Sequence, residues 1–282
     1  MDTFSPEPFL KWVGGKRLLL AHISPVIENW LNKNPHGRYF EPFLGAGAVL
    51  FSLSIDLKKI WNDTNSDLIE TYRVVRDSPD ELLEALKRHR NNREYFYRIR
   101  KWDRQVNWST RTSVEKASRF IYLNRTCFNG LFRVNSSGQF NVPFGDYKKV
   151  TIVNAENIYA VSRFLNSRPL VKLSSGDYRK CTKNTKAGDF VYFDPPYDPI
   201  SKTSAFTAYN SDGFNWDDQV ALRDEAVRLT KLGASVLLSN SATSGILRIY
   251  EEAGLFNIQR VEIHRGIAAN SHNRRRVQEV LI

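Results

Sequence analysis

The 282-residue sequence has little of what would place it in a class at once. It has two cysteines, Cys127 and Cys181, which form neither a metal-ligand spacing nor a disulfide framework. Both are read as reduced thiols of a cytoplasmic protein. No apolar run approaches the roughly 18 residues that span a bilayer. The opening "MDTFSPEPFL" carries two acids and two prolines without a basic start, which argues against a signal peptide. Repeats, low-complexity tracts and long flexible linkers are missing. "VGGKR" at 13–17 lacks the first glycine and the Ser/Thr of a Walker A loop. What is there suits an ordinary soluble protein: 41% apolar, 25% charged, and long enough for one large domain or two small ones.

Charge is present in excess and in one place. The formal net charge is +11, and between Lys87 and Lys149 there are 15 basic residues against 4 acidic ones. The flanks cancel. A merely solvated surface would mix both signs, so this block reads as a footprint for a polyanion. Charge alone leaves nucleic acid, ribosomal and heparin-like partners all open.

The hydrophobic pattern alternates helix and strand, then breaks, then resumes. A helix is expected from about Lys16 to Leu31, a strand at "RYFEPF", a helix at "GAVLFSL", a strand at "KKIWND" and a helix at "SDLIETYRVV". From Pro79 to about Arg125 the pattern is helical, basic and aromatic, and "CFNGLFRVNSSGQFNVPFG" reads as a hairpin around "NSSG". Strands return at "PLVKLSSGD", "DFVYFDP", "ASVLLSN", "FNIQRVEIH" and "RVQEVLI". The expected architecture is an α/β sheet domain interrupted by one basic insert.

Two stretches carry chemistry. In "VYFDPPYDP" a buried strand ends on Asp194, and Pro195 and Pro196 then stiffen the chain beside Tyr197. A capping aspartate at a turn is the bland alternative. In open α/β sheets, however, ligands collect at strand C-terminal ends. In "FEPFLGAGAVLF" a strand ends at Phe43, and Gly45 and Gly47 turn the chain into a helix. Asp63 follows 18 residues after Gly45, near the offset at which Rossmann-type sites hold a ribose diol. Leu50 and Phe51 fall where a third glycine would stand, which suits an adenosine ligand without pyrophosphate, S-adenosylmethionine. Lys16 and Asp194 are candidates for its charged groups, Trp12 for packing against it, and Asp177 and Tyr178 for facing its adenine.

These segments together resemble a known family. "FLKWVGGKR", "FEPFLGAG", "NDTNSDLI", "YLNRTCFNGLFRVNSSGQFNVPFG" and "DPPYDP", in this order and continuing to "HRGIAANSHNRRRVQEVLI", are similar to the Dam-type adenine-specific DNA methyltransferases. The resemblance implies a Rossmann-like α/β methyltransferase sheet of about seven strands over 1–75 and 150–282. It implies a helical, basic DNA-recognition insert over 76–149, with the hairpin at about 126–144. It implies S-adenosylmethionine as donor, no metal, and double-stranded DNA as partner, with GATC or a related short site as target. A cognate restriction endonuclease is a further partner of the kind the family has, and no membrane is involved. Trp12, Lys16, Asp63, Asp177 and Asp194 match cofactor-contacting positions. Asp194, Pro195, Pro196 and Tyr197 match the catalytic motif. Lys11, Phe128, Asn129, Leu131 and Arg133 match positions at the DNA, with Arg133 in the place of a base-reading arginine. Asp146 departs from the pattern, standing where relatives often have a basic residue.

The residues then suggest a mechanism. Asp194 and the Pro195 carbonyl accept the two N–H bonds of an adenine amino group, Tyr197 stacks on the base, and Phe128 wedges the opened duplex. Methylation of RNA or of protein glutamine, and a DNA-binding module without chemistry, are the competing readings. Glutamine-modifying relatives carry Asn where Asp194 stands, and a dead site need not keep two prolines.

Overall fold

The computed structural model describes residues 5–12, 14, 16–52, 58–199, 213–264 and 276–282. Val13 and Gly15 of the "KWVGGK" motif, Leu53 of the second expected helix and residues 265–275 of the C-terminal segment lie outside the described residues.

All seven expected strands form. They are β1 (Tyr39–Glu41), β2 (Lys59–Asp63), β3 (Lys172–Ser175), β4 (Phe190–Phe193), β5 (Ser235–Ser241), β6 (Gln259–His264) and β7 (Arg276–Leu281). Their order in the sheet is β3-β2-β1-β4-β5-β7-β6. β1 runs parallel to β2 and β4, and β4 parallel to β5, whereas β7 is antiparallel to both β5 and β6. This mixed seven-stranded sheet with flanking helices is the α/β architecture expected from the sequence. β4 is buried along its whole length, as expected of a parallel strand covered on both faces.

The helices are α1 (Leu20–Lys33), α2 (Ala48–Phe51), α3 (Ser66–Asp77), α4 (Pro79–Lys87), α5 (Arg93–Arg100), α6 (Ser113–Thr126), α7 (Ala155–Leu165), α8 (Tyr178–Thr182), α9 (Trp216–Lys231) and α10 (Ser244–Ala253). Their ends are chemically marked. Asn65 caps α3, Thr112 and Glu115 form a capping box on α6, and Asn215 and Asp218 form one on α9. Each satisfies amides that the first helical turn leaves without partners. Among the described residues, no helix is long and apolar enough to cross a membrane.

The chain forms two compact units, one of residues 1–17, 44–56 and 62–176, the other of 18–43, 57–61 and 177–282. In the second unit, Val191 and Phe193 of β4 pack with Leu238 of β5, Leu222, Ala226 and Leu229 of α9, and Ile246 and Tyr250 of α10. Arg38, just before β1, donates from its backbone and guanidinium to Asp189, just before β4, with Nη2 to Oδ2 at 2.6 Å. That pair fixes the start of the two strands.

In the first unit, α5 and α6 share a core with the returning arm of the expected hairpin: Phe96, Ile99, Tyr122 and Leu123 meet Phe140, Val142 and Phe144. The hairpin is pinned at its base and near its tip. Its arms make isolated antiparallel bridges at Val134–Phe140 and Cys127–Phe144 and no continuous ladder. The physical reason lies in the arms. Residues 128–130 take a tight helical turn with Asn129 at φ 54°, and Pro143 has no amide to donate.

Candidate active site and DNA-facing residues

In the first unit, the glycine loop is built around Gly45. Its amide donates to Asp63 Oδ2 at 3.0 Å, and Asp63 Oδ1 accepts the amide of Asn65 at 2.9 Å. A Cβ on Gly45 would lie 2.9 Å from Trp12 Cδ1, and the residue sits at φ +50°. Steric space and backbone conformation therefore both require glycine here. Gly47 leads into α2, and Tyr72 donates its hydroxyl to the Gly45 carbonyl at 3.3 Å. Asp63 is thus a loop organiser, holding the Gly45 and Asn65 amides. Trp12 stacks on Phe120 and Phe132, at 6.3 and 5.9 Å between ring centroids. Lys16 is buried, and its Nζ donates to the Gly14 carbonyl at 3.1 Å.

The DNA-facing candidates lie in the same unit. Lys11 is joined to the hairpin base through Asn124, a buried residue that sequence reasoning missed. Asn124 accepts the Lys11 amide at 2.8 Å, and its Nδ2 donates to the carbonyls of Lys11 and Gly130 at 2.7 and 3.0 Å. Ser118, Arg119 and Thr126 of α6 are buried as well, so the sequence does not single Asn124 out. Lys11 Nζ lies 4.3 Å from the Tyr147 ring centroid, and burial, then the Arg125 charge, lowers its pKa. Phe128 is 51% exposed, so an aromatic ring stands in solvent at the hairpin base. The Asn129 amide donates to the Tyr147 hydroxyl at 2.9 Å. Leu131 packs partly into the α5–α6 core, and Arg133 is exposed with Nε donating to Asn141 Oδ1 at 2.7 Å. Asp146, at φ 54°, faces Arg93 at 3.8 Å, so the acidic departure is partnered by a basic residue of α5.

In the second unit, Asp194 stands directly after β4. Ser239 of β5 donates to its Oδ1 at 3.0 Å. The residues after it are held one by one. Gln219 of α9 donates to the Pro196 carbonyl at 2.9 Å and accepts from Asn240 at 3.0 Å. Asn240 accepts the Asp198 amide at 3.1 Å, and the Tyr197 hydroxyl donates to Glu279 Oε2 at 2.8 Å. The Pro195 carbonyl has no partner among the described residues. Buried Glu41 lies near this carboxylate: desolvation, then the Asp194 charge, pushes its pKa well above the carboxylate range. Burial and the same charge raise the pKa values of Tyr192 and Tyr197. Asp194 thus lies near the Ser239, Tyr192 and Tyr197 hydroxyls and the buried Glu41 carboxyl.

Phe43 and Tyr178 pack at 5.3 Å between ring centroids, with Phe193 beside both. Asp177 caps α8 and pairs with Arg179, Nη2 to Oδ2 at 2.6 Å, and this bond holds its pKa below the usual range. Its carboxylate is therefore occupied locally. Among the described residues, no group of histidine, cysteine, aspartate and glutamate could hold a metal ion.

Comparison with known proteins decides the family. Residues 12–267 match the model of the D12 class N6 adenine-specific DNA methyltransferases. The chain belongs to this family. It is 44% identical to a type II methyltransferase of Lactococcus lactis subsp. cremoris, over 98% of this chain and 94% of that protein. It is 39% identical to a type II methyltransferase of Methanocaldococcus jannaschii, over 98% of each. It is 36% identical to a DNA adenine methylase of Vibrio cholerae, over 97% of this chain and 94% of that protein. This methyltransferase therefore acts on adenine in DNA, and its family membership implies methyl transfer from S-adenosylmethionine.

Proposed function

We propose that this methyltransferase transfers a methyl group to the exocyclic amino group of an adenine flipped out of duplex DNA, within GATC or a related short site. The observation that carries this reading is Asp194 at the end of β4, oriented by Ser239, beside a Pro195 carbonyl that has no partner among the described residues. An adenine amino nitrogen is a poor nucleophile because its lone pair is conjugated into the ring. Asp194, a carboxylate, accepts one N–H, and the Pro195 carbonyl accepts the other. That favours a pyramidal nitrogen whose lone pair is available for attack. Gln219 ties back the Pro196 carbonyl, and Glu279 anchors the Tyr197 ring that stacks on the base.

In the first unit, Trp12, Lys16, Gly45, Gly47 and Asp63 are assigned to the cofactor, and in the second Phe43, Asp177, Tyr178 and Asp194. The Cβ-free turn at Gly45 and the carboxylate behind it fit an adenosine ligand. The chemistry that bound S-adenosylmethionine supplies is a methyl group activated by a sulfonium. Residues 76–149 are assigned to target recognition, with Lys11, Phe128, Asn129, Leu131 and Arg133 at the DNA. Phe128 is the wedge that supports the flipped state, and Arg133 reads guanine, worth about 1–3 kcal/mol of discrimination. The type II names of two relatives support a companion endonuclease for the same site.

Incubation with labelled S-adenosylmethionine and unmethylated duplexes, with and without GATC, followed by digestion to nucleosides, tests the reading. N6-methyladenine only from the GATC duplex is expected. Label from both duplexes would keep the chemistry and refute the site, and label on RNA alone would refute the substrate.

A further inference from the structure

Arg133 leaves the hairpin as an exposed side chain, but its guanidinium is not loose. Nε donates to Asn141 Oδ1 at 2.7 Å, across the hairpin. Nη1 and Nη2 have no partner among the described residues. An arginine can pair with guanine O6 and N7 through Nε and one Nη, or end-on through both Nη atoms. With Nε committed to Asn141, only the end-on pairing remains. The in-plane Nε–H bond also fixes the plane of the fork. A phosphate accepts an arginine in many planes, whereas the two acceptors of a guanine edge lie in the plane of the base pair. A fixed plane is therefore useful for reading a base and nearly irrelevant for holding a phosphate.

Asn141 is itself held from several sides. Its amide donates to the Arg133 carbonyl at 3.0 Å. Its carbonyl and that of Val142 accept from Arg100 Nη1 at 3.3 and 3.1 Å. The preceding Phe140 gives its amide to Asp103 Oδ2 at 2.8 Å and takes Arg104 Nη2 on its carbonyl at 2.8 Å. Phe140 and Val142 are both buried in the α5–α6 core. The segment 140–142 is thus a fixed rail, clamped by the end of α5 and the turn after it, from which the Asn141 side chain reaches the Arg133 guanidinium.

We propose that Asn141 is a specificity-determining positioning residue: it sets the plane of the Arg133 guanidinium so that Nη1 and Nη2 meet a guanine edge in the recognition site. This rests on the reading of Arg133 as the base-reading arginine. Ordering the side chain in the free protein also removes an entropy cost that a flexible arginine would meet on binding.

The test uses the full-length protein and a set of duplexes, each differing by one base pair from the site the wild type methylates. kcat/KM is measured on each for the wild type, Arg133→Ala, Asn141→Ala, Asn141→Asp and the double alanine variant. Asn141→Ala should lower discrimination roughly tenfold at the same base pair as Arg133→Ala. The double variant should lose no more there than Arg133→Ala alone, the sign of two residues acting as a unit. Asn141→Asp keeps an acceptor for Nε and should retain discrimination at that pair, while its added negative charge weakens binding to every duplex alike. The proposal is overturned if Asn141→Ala keeps wild-type discrimination while Arg133→Ala loses it, or if Asn141→Ala slows all duplexes uniformly. Unchanged discrimination in Arg133→Ala would overturn the reading of Arg133 itself, and the inference with it.

Discussion

Ser239 on β5 donates its hydroxyl proton to Asp194 Oδ1 at 3.0 Å, and the Tyr192 hydroxyl lies 3.0 Å from the same serine oxygen. Since the serine has a single proton and gives it to the carboxylate, Tyr192 is the donor to Ser239. A hydrogen-bonded chain thus runs through two buried strands and ends on the carboxylate. Ser239→Ala should lower kcat while leaving KM for DNA within about twofold. A hydrogen bond to a charged group contributes about 1.5–3 kcal/mol, so the expected loss is roughly ten- to a hundredfold. Steady-state kinetics on one duplex check this, and an unchanged kcat would show that Asp194 is oriented by other contacts.

Asp103 joins the hairpin to the helices. Its carboxylate pairs with buried Arg119 at 2.6 Å and also with Arg104, and it accepts the Phe140 amide. Removing one partner of a buried pair leaves a charge uncompensated, at a cost of about 3 kcal/mol or more. Asp103→Ala should therefore lower the urea midpoint and, because the 140–142 rail loosens, reduce discrimination between DNA sites. Urea unfolding and the kcat/KM ratio would both move, and an unchanged urea midpoint would contradict the assignment.

His89 stacks on Tyr122 at 4.3 Å between ring centroids and hydrogen-bonds Tyr95 and Ser118 through its two ring nitrogens. Burial pushes its pKa down from 6.5 to about 4. The unfolded chain takes up this proton near pH 6.5 and the folded one only near 4, so acid favours unfolding across that window. The contribution is complete above pH 6.5 and is lost as the pH falls towards 4. It amounts to on the order of 3 kcal/mol. His89→Gln should flatten the stability profile between pH 6.5 and 4, as read by denaturant melts at several pH values. An equally steep profile in the variant would place the acid sensitivity elsewhere.

The centre of the sheet was readable in the sequence because β1 and β4 are short buried runs ended by turn residues, of which "DFVYFDPP" is the plainest. Gly45 and Asp63 were both picked out by their spacing, but the bond from the Gly45 amide to the Asp63 carboxylate at the end of β2 was not legible from it. Asp177 shows the limit of that reasoning. Its position at the end of β3 was foreseen, but Arg179, two residues later, engages its carboxylate. The hairpin was legible from its two apolar-aromatic arms around "NSSG", but that pattern does not reveal that Asn129 turns at positive φ. The residues missed altogether are Asn124, Gln219, Ser239, Glu41 and Asn141. Each is a polar side chain whose role comes from a partner distant along the chain or across a turn. Composition and spacing carry no trace of such pairings. Gln219, for instance, meets the Pro196 carbonyl from 23 residues away.

The most direct test of the account is a single-turnover measurement of methyl transfer to one duplex by the wild type and by Asp194→Ala, with DNA affinity measured on the same preparations. Asp194 supplies an acceptor for the reacting amino group and lies outside the basic segment. The account therefore predicts that transfer falls at least about a thousandfold, in the range seen when a preorganised electrostatic group is removed, while DNA affinity changes only a few-fold. Transfer by Asp194→Ala within a few-fold of the wild-type rate would contradict it.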